Sequence, residues 1–198
     1  GGRGPVAWAA RAAGGGPAPG LQTLGPPVSP PMYSIDARDT VNPFATAPQC
    51  SAGAPCPLVL ADDDGVLIAY YSEPPAIASS PAAPLEVAPT TSDLPVAIAA
   101  FASPLAHLFG PPNDEALSGH PLASRGLHAY GSFEVLHSSW IRALERMNAV
   151  HPNHRPEAFS GYRHFVFTFH DSTFECIARD ISFHTHPAPL HSALPRML

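Results

Sequence analysis

One imidazole, two carboxylates, two hydroxyls and a thiol fall within the eight positions from Phe169 to Cys176. A carboxylate beside an imidazole raises its pKa and holds its tautomer. That geometry suits a general base, or a metal ligand with its supporting acid. His170 and Glu175 are the candidate catalytic pair. They equally suit a polar pair on an exposed sheet face. A Ser-His-Asp triad made from neighbours on one turn is set aside, because consecutive residues rarely aim at a common point.

All eleven histidines lie between His107 and His191. His107 and His120 flank Asn113-Asp114-Glu115, and with His137 they form a candidate set for a divalent metal across a loop and a sheet. None of the three has a partner at HxxxH or HxxE spacing. Asn113, Asp114, Glu115 and His137 are the candidate ligand-binding residues. His154 and Glu157 have HxxE spacing, but Pro156 breaks the helix that such a pair would need. His184, His186 and His191 fit adventitious chelation in a terminal tail. Asp62-Asp63-Asp64-Gly65 lacks the alternate acidic positions of a calcium loop and reads as a turn.

These residues need a scaffold, and side-chain period supplies one. Phenylalanine at Phe165, Phe167 and Phe169, then Phe174, marks two strands. A turn at Asp171-Ser172 sets His170 opposite Thr173, Phe169 opposite Phe174 and Phe167 opposite Cys176. One face then carries Phe165, Phe167, Phe169, Phe174, Cys176 and Ala178. The other carries His164, Val166, Thr168, His170, Thr173, Glu175, Ile177 and Arg179. Cys176 reads as a small buried thiol, and His170 falls diagonal to Glu175.

Upstream, Leu58–Leu60 and Val66–Tyr71 flank the Asp-Gly turn as a hairpin, and Val96–Phe101 is a buried strand. Residues 131–137 form another strand, with Phe133, Val135 and His137 on one face. Ser138 or Ser139 then caps a helix over residues 139–150, with Trp140, Ile141, Leu144 and Met147 on one side. A short turn follows at Pro156–Phe159. The fold class is α+β: a mainly antiparallel sheet of about five or six strands, with the helix packed on one face. The domain spans residues 57–182. Residues 1–55, rich in Pro, Gly and Ala, are expected to be disordered, and residues 183–198 to form a flexible tail. The chain opens Gly-Gly-Arg, and residues 1–31, upstream of Met32, read as a translated segment foreign to the natural protein.

The net charge of -6, ten scattered arginines and the absence of lysine argue against a nucleic-acid surface, which needs clustered positive charge. The longest apolar stretch, Leu94 to Phe109, is broken by Pro95, Pro104 and His107 and is too short to span a bilayer. Three cysteines, Cys50, Cys56 and Cys176, do not make a disulfide framework. A soluble cytoplasmic protein follows.

Residues 165–176, taken with Phe133-Glu134-Val135-Leu136-His137-Ser138-Ser139-Trp140-Ile141 and Gly110-Pro111-Pro112-Asn113-Asp114-Glu115, resemble an uncharacterised family of small bacterial proteins. The resemblance covers residues 57–180. It implies a single bacterial domain and brings no activity, fold or ligand. The expected function is a binding module for a small molecule or protein, using the polar sheet face and the 110–121 loop. The alternative is a metal-dependent or His/Glu acid–base enzyme, such as a hydrolase.

Overall fold

The computed structural model describes residues 33–73, 94–187 and 189–193. Nine strands and one α-helix are found among them: β1 (Thr40–Pro43), β2 (Leu58–Ala61), β3 (Val66–Tyr71), β4 (Val96–Ala102), β5 (Ala106–Gly110), β6 (Ser132–Leu136), α1 (Ser139–Asn148), β7 (Arg163–Thr168), β8 (Thr173–Ala178) and β9 (Asp180–His186). The strands form two sheets, ordered β1-β6-β7-β8-β5 and β2-β3-β4-β9. Every pairing is antiparallel. The expected antiparallel strands and single helix are present, but a second sheet replaces the single sheet of five or six strands.

The phenylalanine period explains why two sheets form. Phe165, Phe167, Phe169, Phe174 and Cys176 leave one face of the five-stranded sheet and meet Ile68, Tyr70, Ala97, Ala99 and Phe101 from the other sheet in one buried cluster. The small Ala97 and Ala99 leave room for the rings opposite, and Phe101 lies 5.4 Å from Phe174 between ring centres. Such offset aromatic packing fills the interlayer at interior density. On the far side of the five-stranded sheet, Val166 and Ile177 pack under Tyr33, Leu117, Leu122 and Trp140. That sheet therefore has no open polar face.

Residues 33–55, expected to be disordered, are part of the fold. β1 pairs with β6, from Thr40↔Leu136 to Pro43↔Phe133, and Tyr33 and Cys50 are buried. The strand is mostly exposed, so its pairing rather than its own apolar pattern places it. Pro43 suits an edge position. The expected tail also begins too early: β9 runs to His186, and Leu190 and Ala193 are buried against the four-stranded sheet. The expected foreign segment 1–31 lies outside the described residues, as do residues 74–93.

The Asp62–Gly65 turn is as expected: the Asp62 carboxylate accepts the N–H groups of Asp64 and Gly65 at 2.9 and 2.8 Å. Ser138 caps α1, its Oγ accepting from Ile141 N–H at 3.3 Å. Trp140 is buried, with Ile141 and Leu144 packed beside it. Met147, expected on the same side, is exposed.

Phe167 is 1% exposed at the centre of the aromatic layer. Phe167→Ala should cost about 3–5 kcal/mol, read as a lower urea midpoint with unchanged slope. A loss below about 1 kcal/mol would show that the two sheets do not share this core.

Candidate functional site

The β7–β8 register decides which groups meet. Thr168 pairs with Thr173, Phe167 with Phe174 and Phe165 with Cys176, two residues from the expected register. Phe169 N–H donates to Ser172 O at 2.8 Å, so the turn is the four residues 169–172 rather than Asp171-Ser172. A two-residue slip keeps every side chain on its face but changes its diagonal neighbours. Glu175 now faces Val166, and its diagonal neighbour is His164 in place of His170.

Glu175 is 1% exposed, His164 0% and His120 3%. His164 Nε2 lies 2.9 Å from Glu175 Oε2 and His120 Nε2 3.1 Å from Oε1. The Tyr33 hydroxyl donates to Oε2 at 2.6 Å. Leu122 N–H donates to His120 Nδ1 at 3.1 Å, which places the ring proton on Nε2, facing the carboxylate. His164 Nδ1 meets Ser138 Oγ at 2.9 Å. The segment before β1, the loop before β6 and β7 thus converge on one carboxylate of β8, and the cap of α1 joins them through His164.

Burial alone would push the Glu175 carboxyl up, but hydrogen bonds from His120 and His164 outweigh it and hold it at about 2. Burial and the adjacent carboxylate push the Tyr33 phenol far above its ordinary value. Three donors satisfy a charge that would otherwise be very costly to bury. The carboxylate is 1% exposed, so this network ties the surrounding chain segments together in the interior.

His170, expected beside Glu175, lies instead at the rim, with its side chain 49% exposed. Its Nδ1 is 2.9 Å from Asp114 Oδ2, and the Tyr130 hydroxyl donates to the same oxygen at 2.7 Å. Tyr130 Oη is also 2.8 Å from His170 Nδ1. Asp114 holds the imidazole pKa above its ordinary value, while Tyr130 and His170 hold the Asp114 carboxyl down. The hydrogen bond to Asp114 pushes the Tyr130 phenol up to about 12. This triangle ties the 111–121 loop to the β7–β8 turn, supported by Asp114 N–H donating to His170 O at 2.9 Å.

The remaining candidates separate. Asn113 Oδ1 accepts from Ala116 N–H at 3.1 Å and shapes the loop; Glu115 is exposed beside it. His107 pairs with Cys176 across β5 and β8. It therefore faces the opposite side of the sheet from His120, and the two cannot share a metal. No three His, Cys, Asp or Glu side chains among the described residues are placed to hold a metal ion. Cys176 is fully buried, and burial pushes its thiol up to about 12, as befits a core side chain.

His137 has a left-handed backbone, φ 53°, where β6 turns into α1, and it lines a cleft of about 340 Å³. Leu136, Ile141, Phe159 and Tyr162 supply apolar surface there; Arg38, Arg142 and Arg163 supply guanidinium groups. Sequence reasoning missed the cleft, since its walls come from β6, β7, α1, the Pro156–Phe159 turn and the segment before β1. It also missed Tyr33 and Tyr130. His164 had a visible signal, because it shares the face of Glu175 by side-chain period.

Among the described residues, the fold and site thus define two antiparallel β-sheets with one α-helix, a buried carboxylate network and an open cleft. No protein-family model, curated protein or solved structure matches the chain.

Two titrations check this arrangement. The Glu175 carboxyl lies below its ordinary 4.5 when folded, so its contribution is present above that value and fades as pH falls toward 2. Urea midpoints should therefore drop more steeply between pH 5 and pH 2 (roughly the interval spanned) in the wild type than in Glu175→Gln. Parallel curves would remove Glu175 as the cause. At the rim, Asp114→Asn should lower the His170 pKa toward its ordinary 6.5, followed by imidazole NMR shifts. An unchanged titration would show that Asp114 does not hold the ring.

Proposed function

We propose that this protein is a small-molecule binding module whose site is the cleft between α1, the β6–β7 strands and the Pro156–Phe159 turn. The observation that carries this reading is the cleft itself. At about 340 Å³ it falls in the size range of ligand sites, and it combines apolar walls with a few convergent polar groups. The carboxylate network offers no comparable space: the hollow reaching Glu175 is about 80 Å³. Another hollow, of about 410 Å³ over Leu67, Ile98, Ala100, His184, Thr185 and His186, lies on one sheet face and draws its walls only from adjacent strands.

The His170–Glu175 pair on which the acid–base alternative rests does not form: Glu175 is buried against His120, His164 and Tyr33, and His170 bonds Asp114 instead. The expected recognition surface moves as well: the sheet face is covered, and of the candidate binding residues only His137 lines the cleft. No helix among the described residues is long and apolar enough to cross a membrane. Cys50, Cys56 and Cys176 are all unpaired, which supports a reducing, cytoplasmic setting.

Titration of the isotope-labelled protein with benzamide, phenol and indole tests the site. Amide signals of Leu136, Ile141, Phe159 and Ser160 should shift together, with affinities near the millimolar range of fragments (about -4 kcal/mol). Ile141→Trp, which fills the cleft, should abolish the shifts. Fragments that bind this variant unchanged would overturn the reading.

A further inference from the structure

We infer, building on the cleft as the binding site, that its ligand is uncharged overall: a cyclic or aromatic molecule carrying an amide-like acceptor oxygen. Three guanidinium groups at first suggest an anion site, but each is already matched. Arg38 and Arg142 share Asp36, at 3.0 and 2.7 Å from their Nη2 atoms, and Asp39 lies 3.8 Å behind Arg142. Arg163 grips Glu134 through Nε and Nη2 at 2.8 and 2.7 Å and reaches Asp180 at 3.4 Å. The guanidinium groups and the carboxylates of Asp36, Asp39 and Glu134 are thus spent on one another and on backbone donors, so neither sign of charge is left free in the cleft. A ligand carboxylate would shed its water without gaining a free counter-charge, and it would sit near Asp36 and Glu134.

The groups still able to bind a ligand are of a different kind. Arg142 also donates to His137 O and Ser139 Oγ, and Arg163 stacks on Phe165 at 4.8 Å, so both are committed within the protein. Arg38 bonds Asp36 through Nε and Nη2 alone, leaving its Nη1 donors open at the rim. A guanidinium has five N–H groups, and those at Nη1 suit a neutral carbonyl oxygen. Opposite, Phe159 and Tyr162 lie 6.1 Å apart between ring centres, and with Leu136 and Ile141 they offer an apolar bed for a ring.

The test compares benzamide, benzoate and benzamidinium by amide-shift titration in the wild type, Asp36→Asn and Arg38→Gln. Benzamide should bind the wild type at least about tenfold more tightly than either ion, a difference of about 1.4 kcal/mol. Asp36→Asn releases two guanidinium groups, so benzoate affinity should rise about tenfold while benzamide changes little. Arg38→Gln should weaken benzamide, while benzamidinium, freed of one nearby positive charge, should bind no more weakly than to the wild type. Benzoate or benzamidinium matching benzamide at the cleft of the wild type would overturn the neutral-ligand inference and leave the binding site standing. If none of the three shifts cleft signals in any protein, the binding reading itself fails.

Discussion

The Glu175 carboxylate is the constraint around which the rest is arranged. An ionised acid in a protein interior is tolerated only when its oxygens are met by donors. Here the donors come from Tyr33, His120 and His164. Each belongs to a different stretch of chain, so satisfying one charge specifies how those stretches pack. Tyr33 brings the segment before β1 across the sheet, where its ring stacks on Trp140 at 5.5 Å. His120 brings the loop before β6 down, with Leu117 and Leu122 buried beside it. His164 connects to the cap of α1 through Ser138.

The cleft depends on that arrangement at one remove. α1 is held over the sheet by Trp140 and by its capping serine, and Asp39 anchors its first turn, accepting from Ser139 N–H at 2.6 Å. The same segment presents Asp36 to Arg38 and Arg142. Arg38 and Arg142 at the cleft are thus neutralised by the segment that docks the helix, and Arg163 by Glu134 of β6.

Histidine enrichment in the second half of the chain has no single cause. His120 and His164 serve the buried carboxylate, and His170 fastens a turn to a loop. His154 bonds Glu145 at 2.7 Å beside the end of α1, and His107 lies exposed on an edge strand. Imidazole suits these tasks because it can donate from one nitrogen and accept at the other. The clustering therefore reflects packing of polar groups as much as chemistry, and the expected metal set dissolves once His107 and His120 fall on opposite faces.

By itself, the sequence determined what local periodicity can determine. The phenylalanine face, the buried Cys176, the Asp-Gly hairpin and the Ser138 cap are all legible, because side-chain alternation and turn chemistry act over a few residues. Register was decided by tertiary structure. A two-residue slip leaves every face unchanged, so no period can detect it, yet it moves Glu175 from His170 to His164. The second sheet, the place of β1 and the walls of the cleft likewise depend on contacts between residues far apart in sequence. Such contacts are selected by how well buried charge and volume are satisfied together, and a single strand carries no record of that.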